Sequence, residues 1–191
     1  MKLFAIFITA LLIDNIVLMR FLALCPFIGM SSDEEKSTGM GVAVIFVTVL
    51  ATCVTFPIYK FILEPLGLVF LQILVFILII ASLVQLVEFY LKKMIPGLYS
   101  SMGIYLALIT TNCAILAVTF DVISTGYTFI EALVYALGSA SGVMLSMLLL
   151  AGIRRRIRTS PVPSFMKGTP VLFIAAALLS MAFMGFKGLW Q

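Results

Sequence analysis

Apolar runs of about 18–25 residues follow one another along nearly the whole chain, with only short polar stretches between them. Hydrocarbon offers no partner to a backbone N–H or C=O, so a run of this length crosses it only as an internally bonded helix. Six runs can be placed, at 3–24, 38–62, 68–91, 101–120, 128–153 and 169–187. The expectation is an all-α integral membrane protein, a single membrane domain over 1–191. Too little chain remains for an extramembrane nucleotide-binding domain. With 63% hydrophobic and 10% charged residues, the net charge of +4 is a topology signal rather than a sign of nucleic-acid binding. Lys2 before an apolar stretch resembles a secretory leader, but Asp14-Asn15 interrupts the stretch and no small-x-small cleavage pattern follows. An unprocessed membrane protein is expected.

Loops 1–2, 3–4 and 5–6 collect Arg20, Lys36, Lys92, Lys93, Arg154, Arg155, Arg156, Arg158 and Lys167, against Lys2, Lys60 and Lys187 on the other side. A bias of nine to three puts the first set in the cytoplasm and both termini outside. The Arg154–Arg158 cluster, read as loop sequence, dominates that assignment as a topological anchor; a docking surface for a cytoplasmic partner is the alternative.

Six spans with both ends on one side divide into three plus three, 1–95 and 96–191, and an odd number per half forces opposite orientations. Asp14-Asn15-Ile16-Val17-Leu18 in span one resembles Thr111-Asn112-Cys113-Ala114-Ile115-Leu116 in span four, with Asn15 matching Asn112. Spans two and five share small-residue clusters, Gly39-Met40-Gly41 and Gly138-Ser139-Ala140-Ser141-Gly142, which suit close packing. Spans three and six show no such likeness. The fold expected is two inverted three-helix repeats with helices 1 and 4 broken. Span one supports a break independently: apolar from Leu3 to about Met30, it would be roughly 40 Å as a straight helix, against a core of about 30 Å. Strong tilt or a re-entrant end at Cys25-Pro26 are the other ways to fit it.

Two of the three cysteines stand in polar-flanked interruptions. Pro26 removes a backbone donor directly after Cys25, and Thr110, Thr111 and Asn112 precede Cys113. Donors near a sulfur stabilise thiolate and tune a metal bound to it. Cys53, between Thr52 and Val54, reads as a small core residue. Two thiolates do not complete a zinc or iron–sulfur site, which takes four ligands. The chain has no histidine, so His-ligated haem, copper, zinc and Rieske sites are excluded within it. A metal centre at Cys25 and Cys113 would need its remaining ligands from another polypeptide; a disulfide is the competing reading.

Asp14 and Arg20 are intramembrane charges, costly and hence functional pointers, but six residues apart they do not share a helix face. Asp14 either caps the broken helix or contributes to a cation path. Glu88, with Lys92 at i+4, and Glu131 are placed at the interfaces.

The stretches Phe21-Leu22-Ala23-Leu24-Cys25-Pro26-Phe27-Ile28-Gly29 and Gly103-Ile104-Tyr105-Leu106-Ala107-Leu108-Ile109-Thr110-Thr111-Asn112-Cys113-Ala114 resemble the two signature segments of the A-type subunit of the Rnf electron-transport complexes. Val162-Pro163-Ser164-Phe165-Met166-Lys167-Gly168 and Met181-Ala182-Phe183-Met184-Gly185-Phe186 extend the resemblance to the C-terminal region. The E-type subunit of the sodium-translocating NADH:quinone oxidoreductase is the related alternative, and Pro26 favours Rnf. Ala107 departs from the family pattern, where proline is expected.

The resemblance implies six helices in inverted halves, in a bacterial cytoplasmic (inner) membrane, paired with a paralogous polypeptide of opposite orientation similar to the E-type subunit of Rnf. It implies that Cys25 and Cys113 supply half the ligands of a [2Fe–2S] cluster whose other cysteines come from that paralogue. It further implies electron transfer between ferredoxin and NAD coupled to Na⁺ or H⁺ movement, with flavin and NAD sites only in other subunits, those of types B, C, D and G. Asp14, Asn15, Thr110, Thr111 and Asn112 are the ion-path candidates, since carbonyl, carboxylate and hydroxyl oxygens suit hard cations. A secondary transporter, or a structural membrane protein with inert cysteines, are the rivals from other classes.

Overall fold

The computed structural model describes residues 2–30, 34–67, 69–94, 108–159 and 168–190. Among these residues the regular structure is entirely helical. The first apolar segment does not cross as one helix. Helix α1 (Lys2–Ile8) widens into a π-helical stretch, Thr9–Ile13, and stops. Asp14 leaves helical geometry at φ −100°, ψ 43°, and the chain resumes as α2 (Ile16–Arg20) and, after a turn, α3 (Leu24–Met30). The twelve residues of Lys2–Ile13 reach only about 18 Å, roughly half the hydrocarbon thickness. Tilt is therefore not how this segment fits; a break is.

The second segment is continuous: α4 (Glu34–Ile58) passes through a π-helical turn at Tyr59–Leu63 into Glu64–Leu66. Pro57 inside it lacks the N–H that a helix interior uses, and the widened turn lies directly after it. The hydroxyls of Thr48, Thr52 and Thr55 donate to the carbonyls of Val44 (2.6 Å), Thr48 (2.9 Å) and Ala51 (2.6 Å), which makes these polar side chains compatible with burial. Helix α5 (Gln72–Met94), preceded by a 3₁₀ turn at Val69–Leu71, is peripheral. It turns one stripe inward, Phe76, Ile80 and Val84 at i, i+4 and i+8, and leaves Leu74, Ile77 and Leu78 exposed.

The fourth segment is helical at 108–110, interrupted at Thr111 and Asn112, and continues as α6 (Cys113–Ser124), four residues past the expected end. The expected proline position, Ala107, lies outside the described residues. Helix α7 (Phe129–Thr159) starts from Thr128, whose N–H (3.0 Å) and hydroxyl (2.7 Å) both donate to the Glu131 carboxylate, the glutamate half of a capping box. It runs 31 residues, so Arg154, Arg155, Arg156 and Arg158 belong to its last turns rather than to a loop, where positive charge suits the helix C-terminus. Helix α8 (Thr169–Trp190) follows.

α4 and α7 pack against each other more extensively than any other pair and form the axis of the bundle. The remaining contacts are reciprocal. α7 bears on α1 and α2 while α4 bears on α6; α8 bears on α2 while α5 bears on α6. Gly138 and Gly142 of α7 let the broken segment approach. A Cβ on Gly142 would lie 2.9 Å from the Leu11 carbonyl oxygen, and one on Gly138 would lie 2.9 Å from that of Phe7. Backbone oxygens cannot yield as a flexible side chain can.

Gly142→Ala should therefore destabilise the protein by about 1–3 kcal/mol through overpacking. Gly152→Ala, on the same helix but in open space, should be neutral or stabilising by up to about 1 kcal/mol. Thermal midpoints of the two variants in detergent, against wild type, check this opposition.

Candidate functional site at two capped helix breaks

Both breaks are built the same way. Asn15 precedes α2 with φ −64°, ψ 107°; Asn112 precedes α6 with φ −72°, ψ 112°. An extended residue directly before a helix is the N-cap geometry, and both side chains use it. Asn15 Oδ1 accepts from the N–H groups of Val17 (3.2 Å) and Leu18 (3.5 Å); Asn112 Oδ1 accepts from that of Ala114 (3.0 Å). The matched sequence positions thus have matched conformations.

They differ at the other end of the amide. Asn15 Nδ2 donates to the Gly142 carbonyl at 2.9 Å, fixing the break to α7, and has a longer contact of 3.5 Å to Leu11. Asn112 Nδ2 is buried without a hydrogen-bond partner among the described residues. The cap of the first break is Asn15, not Asp14. Asp14, one residue earlier, is half-buried and lies within electrostatic range of Arg20, Tyr127 and Tyr135.

The three cysteines differ in exposure. Cys113 is the first residue of α6, and Cys25 is the second of α3; both are exposed, while Cys53 is half-buried in α4. All three thiols are free, so the disulfide alternative is not what the structure contains. Adjacent residues Leu24 and Ala114 belong to one apolar core, which also takes in Ala23, Phe27 and Ile115. Thr111 is exposed and Thr110 half-buried beside Cys113, and the Thr111 carbonyl lies 3.9 Å from the Cys113 sulfur. Among the described residues, no three His, Cys, Asp or Glu side chains gather to hold a metal. This donor set fits half of a four-thiolate centre and no complete one.

One element escaped the sequence reading. Arg20, which the charge count assigned to a loop, ends α2 and donates to Asp121 on α6, Nη1 to Oδ1 at 2.9 Å and Nη1 to Oδ2 at 2.8 Å. Tyr135 of α7, 7% exposed, donates its hydroxyl to the same carboxylate at 3.5 Å, and its ring stands 5.5 Å from that of Tyr127. An intramembrane arginine demands a counter-charge. Asp121, one residue past the expected end of span four, was the available signal. Without Arg20 the basic residues still divide eight to three, so the sense of the orientation argument stands.

The architecture defines a polytopic helical membrane protein whose first and fourth apolar segments are interrupted at asparagine-capped breaks, with an exposed cysteine directly after the second and another ten residues past the first. The chain belongs to the Rnf-Nqr family: the family described as Rnf-Nqr subunit, membrane protein, matches it over residues 3–190. It is 49% identical to the A-type subunit of the Na(+)-translocating ferredoxin:NAD(+) oxidoreductase complex of Acetobacterium woodii, over 99% of this chain and 98% of that one. It is 50% identical to the A-type subunit of the ion-translocating oxidoreductase complex of Syntrophotalea carbinolica, over 98% and 97% of the two chains. The corresponding polypeptide of Serratia proteamaculans is 46% identical over 96% and 95%.

Asn15→Ala removes both a cap and the bond to Gly142, whereas Asn112→Ala removes a cap alone. The first should cost about 2–3 kcal/mol and the second about 1 kcal/mol, read as the order of their thermal midpoints.

Proposed function

We propose that this chain is the A-type subunit of an ion-translocating ferredoxin:NAD⁺ oxidoreductase complex of the Rnf type. In this reading Cys25 and Cys113 supply two of the four thiolates of a [2Fe–2S] centre shared with a paralogous polypeptide of opposite orientation. The observation that carries it is the placement of the two cysteines. One exposed thiol, Cys113, opens the helix that follows the Asn112 break, the other, Cys25, stands at the start of α3 after the strained Phe21–Ala23 turn, and no third ligand accompanies them among the described residues. The names of the A-type relatives support the ion-translocating oxidoreductase, and that of the Acetobacterium woodii relative supports Na⁺, ferredoxin and NAD⁺ as the reactants.

Such a centre, when bound, accepts and releases one electron at a time. The chain's own residues hold and orient its ligands. Asn112 fixes the start of α6, which fixes the Cys113 backbone; the turn after Arg20 and the start of α3 fix that of Cys25. The reciprocal packing of the helices supports two inverted three-helix repeats, 1–95 and 96–191, and the eight-to-three division of the basic residues supports termini outside the inner membrane.

Breaks of this kind free backbone carbonyls and point helix ends at one another, the usual construction of a midplane ion site. Asp14, Thr110, Thr111 and Asn112 are the ion-path residues in this reading. The oxygen of Asn15 already accepts two N–H groups and its nitrogen is bonded to Gly142, so Asn15 contributes by holding the break open. A change of charge at the two cysteines acts on both broken segments and biases which side the path opens to.

The test is iron and acid-labile sulfide analysis with EPR on the purified complex. Cys25→Ser and Cys113→Ser should each remove one signal and about two irons per complex while the subunits still co-purify, and Cys53→Ser should change neither. An unchanged iron count and spectrum in both variants would leave a transporter-like or scaffolding role.

A further inference from the structure

The turn that presents Cys25 is strained and held at both ends. Phe21 (φ 53°) and Ala23 (φ 62°) are both left-handed, a conformation that residues with a Cβ adopt only when their surroundings impose it. On one side of the turn Arg20 is tied to Asp121; on the other, Arg154 Nη1 donates to the Ile28 carbonyl of α3 at 3.2 Å. The first tie is the informative one, because of what it joins. Arg20 lies five residues before Cys25, and Asp121 lies eight residues after Cys113, about 12 Å along α6. One ion pair thus connects the segment that carries each thiol. Its carboxylate is well buried, with 13% of the side chain exposed against 52% for Arg20, and Tyr135 bonds it from α7. Two charges held in a low-dielectric bundle act at long range, yet as a close pair they nearly cancel.

We propose that Arg20 and Asp121 are a positioning pair for the Cys25–Cys113 centre, a charge-neutral clasp that fixes the two thiolate-bearing segments relative to each other and holds the centre's redox poise. The inference rests on the proposed centre and adds residues to it. Asp121→Asn removes the carboxylate bonded to Arg20 and makes the site one charge more positive, which favours the reduced, more negative state of the centre. Arg20→Gln leaves the Asp121 anion uncompensated, which favours the oxidised state. The double variant Arg20→Gln/Asp121→Asn restores neutrality.

The experiment is a redox titration of the EPR signal that Cys113→Ser abolishes, on the purified complex carrying each variant, with iron counted alongside. At a fixed solution potential, the reduced-to-oxidised ratio should rise roughly three- to tenfold in Asp121→Asn and fall by a similar factor in Arg20→Gln. In the double variant it should return to within about twofold of wild type. General damage to packing has no reason to produce opposite signs that cancel. If either single change costs iron, its recovery in the double variant supports the clasp. Singles that shift the same way, an unmoved titration, or a double variant that loses more iron than either single would overturn it. A wild-type complex lacking that signal would overturn the proposed centre and this pair together, whereas a normal signal with unmoved titrations removes the pair alone.

Discussion

A single buried amide lets the first apolar segment stop partway. Ending a helix inside hydrocarbon strands N–H and C=O groups that water cannot reach, at several kcal/mol each by the usual reckoning. Asn15, fully buried, answers this from both ends of its side chain: Oδ1 takes the first N–H groups of α2, and Nδ2 fastens the break to the carbonyl of Gly142. That second bond needs α7 within reach, and α7 is within reach because position 142 has no Cβ to strike the Leu11 carbonyl. The asparagine, the glycine and the π-helical end of the first helix form one device. Change any of them and the chain after residue 15, including Cys25, loses its reference point.

The second break repeats the device incompletely. Asn112 caps α6 as Asn15 caps α2, with φ and ψ within about ten degrees, but its Nδ2 lacks the bond that Asn15 makes across the bundle. α4, the counterpart of α7, packs on α6, yet the described residues offer the Asn112 amide nitrogen no acceptor. The two breaks therefore share cap geometry but not fastening: the first is bonded to its neighbour, whereas the second is held by its cap and by packing. Such an asymmetry suits a pair of segments of which one is a fixed reference and the other can respond.

Most of this organisation was legible in the sequence, and the reasons are physical. Helical class followed from run length, since hydrocarbon permits little else, and the break in span one followed from a run too long for the core with Asp14-Asn15 inside it. Pro26 and Thr110-Thr111-Asn112 singled out Cys25 and Cys113 as ligand candidates, but nothing in the sequence said that both thiols are exposed. What stayed hidden depended on three-dimensional neighbours. Composition made Asp14 as good a cap as Asn15; only backbone geometry distinguishes them. Arg20 was recognised as a costly charge, but its partner is about a hundred residues away and no local spacing rule reaches that far. The extents of α6 and α7 were underestimated because hydropathy marks where a helix leaves the apolar layer, not where it ends. The capping box Thr128…Glu131 was readable and marks the start of α7 to the residue.

The exposed surface bears on why such a chain works within a larger complex. Phe70, Phe61, Leu78 and Leu74 are exposed apolar residues of the kind that face lipid, and they require no specific partner. Cys25 and Cys113 are different, because a lone exposed thiol gains nothing from lipid and is open to oxidation. In the proposed reading these two are the ligands that this chain brings to a shared centre, with no histidine to add to them. The strained turn at Phe21–Ala23 is part of that setting: a backbone held in the left-handed region on one face of the bundle is maintained by the contacts around it, Arg20 to Asp121 and Arg154 to Ile28. Preorganising one half in this way means that assembly need not also fold the ligands into place, and a charge arriving at the thiols meets segments already coupled to the rest of the bundle.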